Sequence, residues 1–449
     1  MNTTSDENAH IRISHSDLAE LNLGQKVEVA VGQRLNRIKV LSTSMQKTKL
    51  AYINNPTAQM LLLPAKLLLD YKVIKNPPRI KLGPVVGVLT TANRNSKSGL
   101  PIGKETYYLG ELVSYARRKG VFVYLFYSTG VNWHSQTIKG YTLDFNKESA
   151  HKWVSGEYPF PDIVYNRIRS RNVENSRTMV ELLDRFQHLG INLFNTRFLD
   201  KWDVYNALMS SPRLRHFLPP TVFFSRVELF KFLQQYPEVF LKPRNSSIGK
   251  GIVKIKRTSG CYMLALAKSA KPSWHYYDSY EELYQALLAI MDDSSRYLVQ
   301  MGIELAKIQN KVFDLRTQVQ KNGRGEWTLT GTAVREAAPD RFVTHIPNGG
   351  SARKYDEVIE KTFGSSVTTK RSLDKQLHLI AREAPIILDD LPGWSLAVLS
   401  IDIGIDRYGK IWIIEINSKP SSFDEPDIRR AYLRYFTDYC KYITFKNID

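Results

Sequence analysis

The side chains best suited to chemistry lie near the C-terminus, in Leu399-Ser-Ile-Asp402-Ile-Gly-Ile-Asp406-Arg-Tyr-Gly409-Lys-Ile-Trp-Ile-Ile-Glu415-Ile-Asn417-Ser-Lys-Pro420. Two apolar β-type runs flank a turn around Asp406 to Gly409, the pattern of a hairpin. Glu415 and Asn417 are two residues apart, so on a strand both point to one face at about 6.6 Å separation. Asp402 can face them from the partner strand. Hard oxygen donors this sparse leave coordination positions for water and phosphate, which suits Mg2+ bound together with a nucleotide. A carboxylate inside an apolar run is costly unless its charge is compensated, and two metal ions shared with a triphosphate would compensate it. The alternative is a surface hairpin whose acids are solvated.

A second stretch, Val239-Phe-Leu-Lys242-Pro-Arg244-Asn-Ser246-Ser247-Ile-Gly249-Lys250-Gly251-Ile-Val-Lys-Ile, predicts a strand, a Gly/Ser-rich loop and another strand. Small residues let backbone N–H groups approach phosphate oxygens, and Lys242 at the strand end adds positive charge. It is not a Walker loop: the first glycine is missing, no Ser or Thr follows Gly249-Lys250, and a strand rather than a helix comes next. Such a loop also serves as an ordinary hairpin turn.

Val312-Phe-Asp314-Leu-Arg316-Thr-Gln318-Val precedes a turn near Asn322-Gly323, and Trp327-Thr-Leu-Thr-Gly-Thr-Ala-Val-Arg335 returns. Alternation puts Asp314, Arg316 and Gln318 on one strand face, with Arg335 at the end of the returning strand. Arginine offers a fixed fork of donors for phosphate or carboxylate, which a transferred phosphoryl group needs. Surface pairing of Asp314 with Arg316, or of Arg335 with Glu336, is the plainer alternative. Pro347-Asn348-Gly349-Gly350-Ser351 is a further candidate phosphate or substrate loop.

The lysine-bearing strand, the Ser/Gly loop and the terminal Asp…Glu-x-Asn, in that order, resemble the ATP-grasp fold, in which two α+β subdomains clasp ATP. The resemblance covers Leu199 to the C-terminus. It implies that Lys201, in Phe198-Leu-Asp-Lys201-Trp, is the first phosphate-contacting lysine and Lys242 the second. It places Ser246, Ser247 and Gly249 in a mobile loop over the β- and γ-phosphates. It makes Leu298-Val-Gln300-Met301-Gly302-Ile303 the adenine hinge, where backbone amide groups can read the base edge. Asp402, Glu415 and Asn417 match the Mg2+ ligands, with Glu415 bridging. The region Glu304-Leu-Ala-Lys307-Ile-Gln-Asn310 departs from the family's pattern, having no obvious counterpart of the acid that holds the ribose.

Within that fold the chain is similar to the endospore coat-associated YheC/YheD group. Lys81-Leu-Gly83-Pro84-Val-Val-Gly87-Val-Leu-Thr90, Pro161-Asp-Ile-Val-Tyr-Asn166-Arg167-Ile, Phe313-Asp314-Leu-Arg316 and Glu415-Ile-Asn417-Ser-Lys419-Pro420 carry this similarity. It implies a sporulating Firmicute and an association with the spore coat.

At 449 residues and 43% hydrophobic content, the chain can build two or three cored domains. No apolar run reaches the length of a membrane span, and the polar start Met1-Asn-Thr-Thr-Ser-Asp-Glu lacks a secretory pattern, so a soluble intracellular protein without membrane contact is expected. The resemblance to the coat-associated group implies the mother-cell cytoplasm, with association with the spore coat. Cys261 and Cys440 match no metal or redox spacing. With 63 basic against 44 acidic residues the net charge is +19, a field that draws nucleotides, acidic peptides, anionic coat polymers or nucleic acid. The densest basic clusters, Arg167-Ile-Arg169-Ser-Arg171 and Arg213-Leu-Arg215-His216, are short, and the lysines are otherwise scattered, so a solvated basic surface is expected rather than a dedicated nucleic-acid groove, which would concentrate basic patches with stacking aromatics.

The expected architecture is α/β and α+β in three parts. Residues 1–76 form a small β-rich or α+β module, with a helical Ser16-Asp-Leu-Ala-Glu-Leu and an N-capping serine, read as a structural extension or coat-targeting adaptor. After a linker at Asn76-Pro77-Pro78, residues 77–198 alternate strands with helices at Glu105 to Arg118 and Glu174 to His188, which predicts an open parallel sheet. Ligands gather at the carboxyl ends of such strands, so Arg167, Arg169 or Arg171 could bind a substrate carboxylate. Residues 199–449 form the ATP-grasp clasp, with helices near Ser279 to Met291 and Ser372 to Leu391 on its sheets. No internal repeat stands out.

With the ATP-grasp resemblance, these features predict an ATP- and Mg2+-dependent, ADP-forming ligase that joins a carboxylate to an amine through an acyl phosphate in spore coat formation, a peptide or coat component among the candidate substrates. Lys242, Arg316 and Arg335 would offset phosphate charge. A spore coat assembly protein that binds ATP with little turnover, or a phosphotransferase on the same fold, are the alternatives.

Overall fold

The computed structural model describes residues 8–21, 26–43, 49–91, 101–103, 105–144, 152–246, 249–267, 273–337, 351–364 and 366–448. It divides into two units, the first comprising 1–197 with 321–326 and 430–449, the second 198–320 with 327–429.

In the first unit, strands that bury every second residue build a closed barrel. Its strands are β1 (His10–Ser14), β2 (Lys26–Val31), β3 (Arg34–Thr43), β4 (Leu50–Ile53), β5 (Leu68–Ile74) and β6 (Arg79–Leu82), in the order β1-β3-β2-β6-β5-β4. Ile11, Ile13, Val27, Val29, Ile38, Val40, Ala51 and Ile53 point inward and are buried, as a period of two requires. Ser14, not Ser16, caps the helix His15–Ala19, accepting from Asp17 N at 3.1 Å. The order strand, short helix, strand, strand occurs twice, a repetition of elements without an evident repetition of residues.

Asn76-Pro77-Pro78 is the turn of the β5/β6 hairpin, in which Ile74 pairs with Arg79, rather than a linker. The barrel therefore runs on to Leu82, and its core continues into the next sheet: Leu69 and Tyr71 belong to one cluster with Tyr124, Phe126 and Phe186. That sheet contains β7 (Val85–Leu89), β8 (Phe122–Asn132), β9 (Thr137–Leu143), β10 (Trp153–Pro159), β11 (Ile163–Asn166) and β12 (Asn192–Phe194), in the order β10-β9-β8-β7-β11-β12. β8, β7, β11 and β12 are parallel, as expected. An antiparallel pair, β9 and β10, extends one side. The C-terminal helix Pro426–Phe445 contributes Phe436 against Tyr165 and Phe194, at centroid separations of 5.3 and 5.9 Å. Lys441 anchors its far end to Asp70 at 2.7 Å.

The second unit holds two sheets. One contains β13 (Thr221–Phe223), β14 (Glu238–Pro243), β15 (Val253–Arg257), β16 (Tyr262–Leu266), β17 (His275–Tyr277) and β18 (Tyr297–Met301), in the order β13-β18-β14-β15-β16-β17. Helices Arg226–Gln235 and Tyr280–Ile290 bury Leu229, Leu233, Leu283 and Leu287 with Val239, Leu241 and Ile255. The other contains β19 (Lys307–Ile308), β20 (Lys311–Lys321), β21 (Trp327–Glu336), β22 (Ser351–Lys354), β23 (Val398–Ile405) and β24 (Ile411–Asn417), in the order β22-β21-β20-β23-β24 with β19 beside β20. The helix Val367–Asp389 packs Leu373, Leu377, Ile380 and Ala384 into the same core as Phe313, Leu315, Leu399 and Ile401. No helix among the described residues is long and apolar enough to cross a membrane.

Candidate functional site

Lys201 opens the helix Lys201–Met209, and Asp200 explains why the helix starts there. The Asp200 side chain accepts from the backbone N–H of Trp202 and Asp203 at 2.8 and 3.2 Å, satisfying donors a helix start leaves unpaired. Arg244 grips the same carboxylate at 3.2 Å. The cap thus ties the helix start to the loop after β14. Lys201 Nζ donates to the Ser246 carbonyl at 2.8 Å and meets Glu415 Oε1 at 3.1 Å.

Lys242 projects from β14 on the face opposite Val239 and Leu241, which are in the core. Its ammonium donates to Gln300 Oε1 at 2.5 Å, and Gln300 Nε2 donates to Thr221 Oγ1 at 2.9 Å. Neighbouring strands β14, β18 and β13 thus contribute one residue each to a relay that aims the lysine. Burial pushes Lys242 down to about 8; Glu415 and Asp402 draw it up, while Lys201 opposes them. The cleft beside it has Val204, Tyr205, Leu218, Leu298 and Ile416 as apolar walls and Lys201, Lys242 and Glu415 as its charged part. A planar base joined to phosphates needs that combination.

The acidic side is set by register. Asp402 on β23 lies opposite Glu415 on β24 and opposite Arg316 on β20, so Arg316, Asp402 and Glu415 form one cross-strand row. Ser400 lies opposite Asn417 two rows along, the next pair on the same face of the sheet. Arg335 binds Asp314 through both carboxylate oxygens at 2.8 and 2.7 Å and reaches Asp402 at 3.2 Å. Burial disfavours its charge, but Asp402 and Asp314 hold its pKa above the ordinary arginine value. Arg316 approaches Asp402 at 4.0 Å. Neither surface pair considered from the sequence forms the main contact: Asp314 takes Arg335, and Glu336 takes Arg353 at 2.7 Å.

Two carboxylates and one amide cannot enclose a cation alone, and no cluster of three or more His, Cys, Asp or Glu suited to a metal occurs among the described residues. The donor set fits an ion that takes its remaining ligands from phosphate and water. Each carboxylate already has a cationic neighbour, Arg335 for Asp402 and Lys201 for Glu415, so both stand where positive charge is stabilised.

In the expected hinge, Met301 N–H donates to Pro220 O at 2.9 Å and Gly302 N–H to Glu238 O at 2.8 Å. These two groups are engaged in the fold, and Gln300 turns its side chain toward Lys242. Ile303 follows, partly buried. In the Ser/Gly loop, Ser246 donates to Pro243 O at 3.3 Å, and Gly249 adopts φ +69° with open space where a side chain would stand. Ser247 and residues 347–350 lie outside the described residues. Arg167 is sealed from solvent, 1% exposed, between Tyr165 and Glu105, and Arg169 meets the same glutamate at 3.0 Å. A carboxylate arriving at Arg167 would first have to displace Glu105. Sequence reasoning missed Thr221, because nothing in its neighbourhood of the sequence marks a threonine as part of a relay to Gln300 and Lys242.

Residues 190–443 match the model of the YheC/D-like ATP-grasp family. The chain belongs to that family and has the ATP-grasp fold. It is 29% identical over 398 residues to the endospore coat-associated protein YheD of Bacillus subtilis (strain 168), covering 86% of this chain and 84% of the relative. It is 25% identical over 283 residues to the endospore coat-associated protein YheC of the same organism, covering 60% of this chain and 73% of that one. Among solved structures, VanG D-Ala:D-Ser ligase from Enterococcus faecalis is similar with a TM-score of 0.45 and 12% identity, covering 81% of this chain and 99% of that one.

Proposed function

We propose that this chain is an ATP- and Mg2+-dependent ligase that joins a carboxylate to an amine through an acyl phosphate, in the spore coat setting that names YheD and YheC. What supports this is the row Arg316, Asp402, Glu415, flanked by Lys201 and Lys242 and by the buried Arg335. Binding alone asks for cations against phosphate. The added acids, Asp402 and Glu415 with Asn417, would hold Mg2+, which supplies charge withdrawal from the transferred phosphoryl group.

Lys201 and Lys242 would hold the phosphates with the backbone of the Ser246 to Gly249 loop, Ser247 included. Leu298 and the residues from Gln300 through Met301, Gly302 and Ile303 would border the base. A substrate carboxylate oxygen attacks the γ-phosphorus as its bond to the β,γ-bridging oxygen breaks, giving ADP and an acyl phosphate. Arg316 and Arg335 face the charge that spreads over the transferred oxygens. An amine then attacks the acyl carbon, phosphate leaves with the C–O bonding pair, and the nitrogen gives up a proton to form the amide.

The test is to supply purified protein with ATP, Mg2+ and an extract of sporulating cells, and to seek a new amide by mass spectrometry. An amide that appears in step with ADP supports the ligase. A stable phosphorylated acceptor selects the phosphotransferase, and nucleotide binding without any turnover selects the ATP-binding coat assembly protein.

A further inference from the structure

The barrel concentrates charge that the rest of its surface does not answer. Between residues 8 and 82 its acids are Asp17, Glu20, Glu28 and Asp70, against twelve Lys and Arg. All four acids are engaged: Asp17 with the Tyr71 hydroxyl, Glu20 with Lys75, Glu28 with Arg79 and Asp70 with Lys441. Arg12, Lys26, Arg37 and Lys39 are exposed and have no partner among the described residues.

Their arrangement works against folding. Lys26 on β2 lies directly opposite Lys39 on β3, and β1 places His10 beside the same Lys39. Like charges facing each other across a ladder are destabilising. Two rows along, the next on this outer face, Arg12 stands between Leu41 and Tyr52, and Tyr52 pairs with Leu68. Tyr52 and Leu68 are 42% and 41% exposed. A ladder that opposes two lysines beside an exposed Arg–Tyr–Leu row is the composition of an interface with an acidic protein, where Arg and Tyr supply most binding energy. A nucleic acid would ask for more stacking surface than one tyrosine offers, and its phosphates would leave Leu68 without a partner.

We propose that this outer face of the barrel, centred on Arg12, Lys39 and Tyr52, docks a carboxylate-rich polypeptide that also presents apolar side chains. Closure of the barrel leaves no free strand edge, so recognition is through side chains and is salt-dependent.

The full chain is titrated with a random glutamate–tyrosine copolymer, with polyglutamate and with oligodeoxythymidine at matched charge. The copolymer should bind tightest. Arg12→Glu with Lys39→Glu should weaken its binding by on the order of tenfold or more, with nucleotide binding unchanged. Tyr52→Ser should weaken the copolymer more than polyglutamate. Lys39→Glu alone should raise the melting temperature, because it turns a repulsive pair into an attractive one, while still weakening binding. Copolymer binding that survives the double reversal overturns the proposal, as does tighter binding of oligodeoxythymidine than of the copolymer.

Discussion

Lys201 Nζ lies 3.1 Å from Glu415 Oε1, so a lysine suited to a phosphate is bound to a carboxylate suited to a metal. Arg335 holds Asp402 in the same manner at 3.2 Å. A free dication would have to displace these cations unaided, whereas a nucleotide offers Lys201 a phosphate in exchange for Glu415. Metal and nucleotide binding should therefore be coupled positively. Titration of Mn2+ by electron paramagnetic resonance should show an affinity on the order of tenfold tighter with a non-hydrolysable ATP analogue than without it. Glu415→Ala should lose that coupling and nearly all ATP turnover while remaining folded. Equal Mn2+ affinity with and without nucleotide, or full turnover in Glu415→Ala, would remove the metal site from this account.

Lys242 makes nucleotide binding depend on pH. Because burial pushes its pKa down to about 8, it loses its charge as pH rises through that value, and binding an anion should draw the proton back. ATP affinity should fall above pH 8, and calorimetry in buffers of different ionisation heat should detect proton uptake on binding. Stability moves the other way. Between about pH 8 and the 10.5 of an unperturbed lysine, the unfolded chain holds the additional proton, so this residue's contribution to stability rises with pH across that window. Lys242→Met should abolish both trends. Lys242→Ala should also slow phosphoryl transfer by about 10²–10³-fold if the charge acts in the transition state, and wild-type affinity in that variant would assign the lysine a structural role.

Some of this was open to sequence reasoning and some was not, for definable reasons. Lys242, Asp402 and Glu415 stood out because polar groups interrupt apolar strands of clear period, and the alternation that placed Asp314 and Arg316 on one face depends only on local geometry. Which carboxylate Arg335 would choose depends on strand register, and the bulge between Asp402 and Ile403 has no local signature. The turn at Asn76 looked like a linker because a hairpin turn and a linker share proline-rich composition; only the pairing of Ile74 with Arg79 distinguishes them. The Thr221–Gln300–Lys242 relay joins residues up to 79 positions apart, beyond any periodicity.

The buried pair of Arg335 and Asp314 separates structure from chemistry. Asp314→Ala removes the bidentate partner of a guanidinium that is 3% exposed and leaves only Asp402, at 3.2 Å, against its charge, and should destabilise the protein by about 1.5–3 kcal/mol. Arg335→Lys keeps a positive charge but not the fork, so it should reduce turnover sharply. Denaturant midpoints measured alongside turnover would distinguish the two effects. Loss of turnover in Arg335→Lys matched by an equal loss in every measure of folding would make Arg335 a structural cation only.

The chemistry is decided by which phosphate bond breaks. The cross-strand row of Arg316, Asp402 and Glu415 lies with Lys201, whose ammonium already touches the loop carbonyl of Ser246. If that loop covers the β- and γ-phosphates, as we propose, charge stabilisation is concentrated at the far end of the triphosphate, and attack falls on the γ-phosphorus. Products should be ADP and inorganic phosphate, with ADP accumulating only when acid and amine are both present. A ligase that adenylates its acid would instead release AMP and pyrophosphate. Incubation with ATP carrying labelled β- and γ-phosphates, followed by chromatography, distinguishes the two directly. AMP as the main product would overturn the acyl phosphate route. Arg316→Ala adds a second arm: the release of labelled phosphate should fall much more than ATP binding does, because the arginine is assigned to the transferred group and not to the bound nucleotide. If binding and release fall together, Arg316 serves the ground state, and the transferred phosphoryl group must be sought elsewhere along the row.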